Sequence, residues 1–201
     1  RWTFLAAAVL IAVNWLTYIW AVNAGFIVET SLGYFINPLV SVLLGVLILK
    51  EQLRPLQWLP IGLAAAAVLY LAVLYGSLPW IALTLAFSFG LYGLVKKAAP
   101  LGPVQGMTLE TGFLFLLAAG WLIYTQATGE GAFLHTGLAA DLLMAGAGIV
   151  TTIPLLMFAF AAQSIPLSMV GILQYLAPTL QLLIGVFVFK AVSYTHLTLP
   201  T

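Results

Sequence analysis

The two longest stretches without a charged residue set the strongest constraint on how this chain can fold. No Asp, Glu, Lys or Arg occurs at positions 55–95, a run of 41 residues, or at positions 142–189, a run of 48 residues. A helix that crosses a bilayer needs about 20 mostly apolar residues, so each run is long enough for two crossings. Lipid accepts only helices and closed barrels, and these continuous runs lack the alternation of barrel strands. The sequence therefore predicts an all-α polytopic membrane protein.

Composition excludes several classes of function. Charged residues make up 5% of the 201 residues and apolar residues 64%, whereas a soluble domain carries about 25% charged residues. A net charge of +1 gives no basis for binding nucleic acid, so the expected surroundings are a lipid bilayer. The chain has no cysteine, and its two histidines, His135 and His196, form no metal-binding motif. We expect no enzyme, no catalytic residue, no cofactor and no metal.

Turn and charge signals divide the chain into seven predicted spans. They cover approximately positions 2–22, 26–49, 55–75, 78–95, 105–124, 142–162 and 166–189, with Ser77 as a candidate N-cap and a polar loop at 125–141. Five basic residues would then lie on one side of the membrane, namely Arg1, Lys50, Arg54, Lys96 and Lys97. The opposite side has Lys190 alone. The positive-inside rule makes the side with five basic residues cytoplasmic.

An internal repeat appears when the chain is aligned with itself at a shift of 140 positions. Pro38 then coincides with Pro178, Gly45 with Gly185 and Lys50 with Lys190. The two copies are separated by an odd number of spans, so they would run in opposite directions through the membrane, which is typical of transporters. The repeat predicts a fragment of a ten-helix bundle of five plus five helices, with two helices before Arg1 and one after Lys190.

Polar side chains on the repeated helices and on the first span are candidates for lining a substrate cavity, because an amide or hydroxyl in lipid needs a partner. These candidates are Asn14, Tyr18, Tyr34, Asn37, Gln174, Tyr175 and Gln181. Close helix packing is the alternative for the small residues Gly33, Ser41 and Gly45 on one of these helices. Pro38 and Pro178 would each leave a carbonyl without its helical donor, and Pro154 is a third candidate kink.

Two carboxylates are candidates for proton coupling or gating. Glu110 lies more than one turn inside an apolar span, where a charge costs about 2.5–3.5 kcal/mol at the bilayer centre and usually faces a cavity. The alternative for Glu110 is an interfacial carboxylate that reaches towards Lys96 or Lys97. Glu29 lies in the first turn of a helix, where it either stabilises the helix dipole or acts in gating and substrate entry.

Several motifs, in chain order, resemble RarD-type permeases of the EamA branch of the drug/metabolite transporter superfamily. They are NWL at 14–16, WAVN at 20–23, ETSLGYFINPL at 29–39, GSLP at 76–79, LAFSF at 85–89, YGLV at 92–95 and GIVTTIPLL at 148–156. The resemblance implies helices 3–5 of the first EamA-like repeat at 1–75 and helices 6–9 of the second at 76–190. Positions 191–201 are polar and β-branched, unlike the rest, and we interpret them as a non-native tail.

The leading hypothesis is a secondary transporter in the bacterial inner membrane. It would move small organic molecules of the drug/metabolite class by alternating access, and the resemblance suggests export. Glu110 would couple this movement to protons. A non-transporting membrane scaffold or sensory protein is the alternative, and the sequence leaves a homodimer open.

Overall fold

The structure is a computed structural model of the chain, and it describes residues 2–75 and 79–187. The described part is helical, with short turns between elements. The helices are α1 (Trp2–Asn23), α2 (Ile27–Leu47), α3 (Trp58–Tyr75, preceded by a 3-10 turn at Pro55–Gln57), α4 (Trp80–Lys97), α5 (Pro103–Thr128), α6 (Leu138–Ser164), α7 (Leu167–Gln174) and α8 (Leu176–Phe187). Arg1, Ser77, Lys190 and the predicted tail at 191–201 lie outside the described residues.

These helices correspond to the predicted spans, with α7 and α8 together forming the last one. Among the described residues, α1, α2, α5 and α6 are long and apolar enough to cross a membrane. Their outer faces are apolar, as at Leu116 and Leu117, each 73% exposed. The multi-pass membrane prediction is confirmed at this level. The number of crossings in the whole protein and the ten-helix arrangement remain predictions.

In the last four helices, α5 to α8, the structure refines two predicted features, the polar loop and the kink near Pro178. The predicted polar loop at 125–141 is too long, because α5 continues to Thr128 and α6 already begins at Leu138. Helix α5 ends at Gly129, whose φ of 76° is left-handed and suits glycine. The last span is interrupted at Tyr175, between α7 and α8 and three residues before Pro178. Pro178 has no N–H, so the Gln174 carbonyl loses its helical donor. By contrast, α2 and α6 continue as single helices through Pro38 and Pro154.

Helix α4 lies between α1 and α2 and forms the centre of the bundle. Small residues allow this close approach: Ala82 and Ala86 of α4 pack with Ile36 and Val40 of α2. On the other side of α4, the fully buried Tyr92 packs with Ala7 and Ile11 of α1. Helix α4 thus packs against α2 through small residues and against α1 through the large ring of Tyr92, and it holds both helices in place.

Helix α7 crosses α2 in the opposite chain direction. Ser168, at the start of α7, lies beside Gly45 near the end of α2, whereas Tyr175, just after α7, reaches Phe35 in the first half of α2. A Cβ built at Gly171 would lie 2.8 Å from the Pro38 carbonyl oxygen, so the backbones nearly touch. Glycine permits this approach because any side chain at 171 would meet α2.

The bundle has two chemically different ends. The basic end contains Lys50 and Arg54 after α2 and Lys96 and Lys97 at the end of α4. The aromatic end is marked by Trp20, which packs against Phe26 and Trp80 with ring centroids 5.6 and 5.7 Å apart. The four described basic residues therefore lie at one end, as the span count predicted.

Candidate functional site

A cavity of about 190 Å³ opens between α1, α2 and α4. It contains four of the seven residues that the sequence predicted to line a cavity. Its lining consists of Asn14, Trp15, Tyr18, Thr30, Gly33, Tyr34, Asn37, Leu85 and Phe89. All nine are uncharged, so the walls offer aromatic faces with hydroxyl and amide groups.

The two asparagines in this cavity differ in how their amides are used. Asn14 donates through Nδ2 to the Leu85 carbonyl at 2.9 Å and to the Ser88 hydroxyl at 3.0 Å. These bonds fasten α1 to α4. The Oδ1 atom of Asn37 is buried and has no hydrogen-bond partner. A buried acceptor without a partner costs free energy, so Asn37 is the polar group here that packing does not explain.

Two tyrosines form one wall of the cavity. The rings of Tyr18 on α1 and Tyr34 on α2 meet edge to face, with centroids 5.9 Å apart. Tyr34 is 52% exposed, so its ring faces open space on the other side. Gly33 sits directly against α4, where a built Cβ would lie 3.2 Å from Leu85 Cβ. This close contact orients the neighbouring Tyr34 towards α1.

The predicted cavity residues on the last span lie at the contact between α2 and α7. The Tyr175 hydroxyl donates to the Phe35 carbonyl at 3.2 Å, and the Ser41 hydroxyl donates to Gln174 Oε1 at 3.5 Å. Gln174 and Tyr175 thus join the two helices, and they are not among the residues that line the cavity of Asn14 and Asn37. The side chain of Gln181 lies outside the described part of the chain.

Glu110 forms a buried ion pair close to the basic end. Its Oε1 accepts a hydrogen bond from Lys96 Nζ at 2.8 Å, and its Oε2 accepts one from the Tyr92 hydroxyl at 3.3 Å. Glu110 is 3% exposed and Lys96 1% exposed. Glu110 lies seven residues beyond the start of α5, about 10 Å along the helix axis. A charge at this depth needs a partner, and Lys96 supplies it.

Glu110 also borders a second cavity of about 240 Å³ between α1, α5 and α6. Thr111, Thr151 and Thr152 contribute hydroxyl groups to its lining. Trp15 lines both this cavity and the cavity of Asn37. A titratable group thus borders a cavity that shares a lining residue with the candidate binding cavity.

Glu29 lies in the first turn of α2, near the aromatic end, and is 7% exposed. This position fits the helix-dipole interpretation, and its burial is also what a gating role requires. The choice between the two remains open.

Glu51 is a site residue that sequence reasoning missed. Its Oε1 accepts the Leu167 amide at 2.7 Å and its Oε2 the Ser168 amide at 2.8 Å, so it caps α7 from the loop after α2. Partial burial raises the pKa of Glu51, but the hydrogen bonds from Ser168 and Leu167 and the nearby Lys97 together lower it below its usual value. No local motif signals this contact, because its partners lie 116 and 117 positions away.

The fold and cavities define a multi-pass helical membrane protein with a polar cavity inside its bundle. Comparison with curated proteins identifies its relatives. The chain is 51% identical over 187 residues to Protein RarD of Streptomyces exfoliatus, covering 93% of this chain and 59% of that protein. It is 53% identical over 183 residues to the uncharacterized transporter YojE of Bacillus subtilis, covering 91% of this chain and 61% of YojE.

Protein RarD of Escherichia coli is 48% identical over 183 residues, which cover 90% of this chain and 61% of that protein. The chain belongs to the RarD-type permeases. It spans about three fifths of the length of the curated relatives it matches. No family model matches the chain. No solved structure matches it either.

Proposed function

We propose that this chain is the central part of a secondary transporter that moves small organic molecules across the bacterial inner membrane by alternating access. The observation that carries the proposal is the cavity between α1, α2 and α4, which places Asn14, Tyr18, Tyr34 and Asn37 around one space. A spanning bundle that only scaffolds other proteins has no use for a buried amide oxygen without a partner. The relatives named as transporters support the same function.

The inverted repeat is part of the proposal. Helix α2 begins at Ile27 and α7 begins at Leu167, so the two helix starts are displaced by 140 positions, the same shift as in the sequence repeat. The opposite chain directions of α2 and α7 at their contact are what an inverted pair requires. Two such copies give a transporter two equivalent openings, one towards each side of the membrane.

The cavity lining favours a substrate with an uncharged, partly aromatic or apolar body. Trp15, Tyr18, Tyr34 and Phe89 provide ring faces, and Asn37 provides the polar group that fixes orientation. This chemistry fits the drug/metabolite class. A relative from Pseudomonas aeruginosa, 30% identical over 187 residues, is named chloramphenicol-sensitive protein RarD. We propose export as the direction of transport because the sequence resembles the drug/metabolite transporters.

Proton coupling is assigned to Glu110. Glu110, which pairs with Lys96, borders a cavity that shares Trp15 with the substrate cavity. Protonation of Glu110 would release Lys96 and change the packing of α4 against α5. A movement of α4 would reach the substrate cavity through Leu85 and Phe89, which belong to the same helix.

Transport can be tested by reconstituting a full-length protein that contains this chain into liposomes. Uptake of a panel of metabolites and drugs is measured with and without a pH gradient. Asn37→Ala is expected to lower uptake at least tenfold, while Asn23→Ala, whose amide bonds within α1, leaves uptake unchanged. Glu110→Gln is expected to abolish the effect of the pH gradient.

Two outcomes contradict parts of the proposal separately. No uptake of any compound above that of empty liposomes contradicts transport and favours the scaffold or sensory alternative. Uptake that keeps its full proton dependence in Glu110→Gln contradicts the coupling role and leaves transport standing.

A further inference from the structure

Glu51 connects the loop after α2 with the first turn of α7 at the basic end. Both carboxylate oxygens are used, one on the Leu167 amide and the other on the Ser168 amide. First-turn amides have no carbonyl partner within their own helix, so a carboxylate that reaches two of them binds well. The loop is shaped for this contact: Lys50 adopts a left-handed φ of 55°, and the Glu51 amide donates back to the Gly45 carbonyl at 3.0 Å.

The two helices leave no space beside this contact. A Cβ built at Gly45 would lie 2.6 Å from Glu51 Oε2 and 2.8 Å from the Ser168 nitrogen. Further along, a Cβ at Gly171 would lie 2.8 Å from the Pro38 carbonyl oxygen. At Gly45 and at Gly171, therefore, α2 and α7 are too close for an added methyl group to fit between them.

Helix α4 holds the same junction from a third side. The Lys97 ammonium donates to the Ile165 carbonyl at 2.6 Å, just before α7 begins. The positive charge of Lys97 also helps to lower the pKa of the Glu51 carboxylate. Loops from three different parts of the chain thus meet at one small cluster, formed by Glu51, Lys97 and residues 165–168.

The cluster lies on one side of the substrate cavity. The α2 residues that line the cavity fall between Thr30 and Asn37, towards the aromatic end. The closely packed segment from Pro38 to Gly45 follows it, and Glu51 closes that segment at the basic end. Asn37 of the cavity is followed at helical spacing by Ser41 and Gly45, so a molecule that moves along this face of α2 towards the basic end meets the α2–α7 contact.

We propose that Glu51 is a latch: its contact with the start of α7 keeps the cavity closed towards the basic end, and its release opens that end. The latch rests on the proposed transport function, because it assumes that the cavity opens to the two sides in turn. Glu51 suits reversible release because it lies in a loop outside the spanning helices, where water can replace either partner. The buried Lys96–Glu110 pair has no such replacement.

This chain contains no cysteine, so a single cysteine introduced into it allows a direct test once any cysteine elsewhere in the full-length protein has been replaced by serine. Ser41, 1% exposed on the α2 face that meets α7, is changed to cysteine in a full-length protein that contains this chain. Its labelling rate with a membrane-impermeant maleimide is measured in sealed vesicles of both orientations. Glu51→Ala is expected to raise labelling from the basic end at least tenfold. Glu51→Gln, which retains one acceptor oxygen, is expected to give a smaller rise.

Two further variants make the result specific. Gly45→Ala should raise labelling from the basic end without altering Glu51 itself, because the added Cβ displaces the carboxylate. Glu130→Ala, which removes a carboxylate from the loop between α5 and α6, should leave labelling unchanged. Unchanged labelling in both Glu51→Ala and Gly45→Ala overturns the latch, and so does an equal rise from both sides of the membrane.

The latch and the proposed function can fail independently. Labelling needs no substrate, so unchanged labelling in both Glu51→Ala and Gly45→Ala overturns the latch even in a protein that transports. Absence of any uptake by the parent protein overturns the proposed function, whatever the labelling result.

Discussion

The two halves of the bundle use polar groups in opposite ways. Towards the basic end, polar groups are paired: Glu110 with Lys96, Glu51 with two amides of α7, and Lys97 with the Ile165 carbonyl. Towards the aromatic end, the cavity has uncharged walls and includes the unpartnered oxygen of Asn37. Paired charges hold helices together, whereas an amide without a partner is available to a ligand. This difference separates the half that we propose to close, called the closing half, from the half that we propose to bind substrate.

The strongest test of this comparison is to break the buried ion pair. Glu110→Ala leaves the Lys96 ammonium, 1% exposed, without its carboxylate. Removing one partner of a buried pair costs about 3–5 kcal/mol, so thermal unfolding in detergent should begin at a much lower temperature. The double variant Lys96→Met/Glu110→Leu should recover most of the loss, because neither charge then remains buried.

A surface carboxylate serves as the control for that experiment. Glu130→Ala should change the free energy of unfolding by less than about 0.5 kcal/mol. If the double variant is as unstable as Glu110→Ala alone, the loss of stability does not arise from a buried Lys96 charge without its partner.

A finer test compares the two asparagines of the cavity. Asn14→Leu removes two hydrogen bonds that join α1 to α4, and it should lower the free energy of unfolding by about 1–3 kcal/mol. Asn37→Leu removes a buried oxygen that has no partner, so stability should stay unchanged or rise by about 1 kcal/mol. Denaturation in detergent measures both. Equal losses in the two variants would mean that Asn37, like Asn14, serves packing.

Much of the fold follows from local sequence signals. Uncharged runs locate the helices, and Pro55, Pro103 and Pro166 lie at or just before helix starts, where a missing N–H costs nothing. Pro178 predicts the interruption at Tyr175. The predicted end of α5 is too early, because Thr125 and Thr128 bond back to carbonyls of their own helix and extend it to Gly129.

The site is predictable only in part, because contacts between distant helices leave no local signal. Asn14 and Asn37 could be selected as amides in lipid, but their different roles depend on Ser88 and Leu85, which lie on another helix. The position of Glu110 more than one turn inside an apolar span predicts a functional role. The sequence suggests Lys96 only as a neighbour of an interfacial carboxylate. Glu51 has no comparable signal, since nothing near it in sequence indicates that α7 begins beside it.

The smallest expected effect is the pH dependence of the stability that Glu51 contributes. It distinguishes Glu51, which caps α7, from the buried Glu110. The groups that face Glu51 are Lys97 from α4 and the Ser168 hydroxyl and the first two amides of α7. They lower its pKa below the ordinary value of 4.5. A carboxylate with a lowered pKa contributes stability above its ordinary pKa and loses that contribution as the pH falls through the lowered one.

The difference in unfolding temperature between the parent chain and Glu51→Gln should therefore stay constant from neutral pH down to about pH 5, and it should shrink only at more acidic pH. Unfolding in detergent across this pH range measures it. A difference that already vanishes near neutral pH would mean that Glu51 is protonated there and cannot hold α7. If the difference persists, mild acid does not release the latch. Any dependence of transport on a pH gradient must then arise at another group, and the one that we propose is Glu110, beside Lys96 and the second cavity.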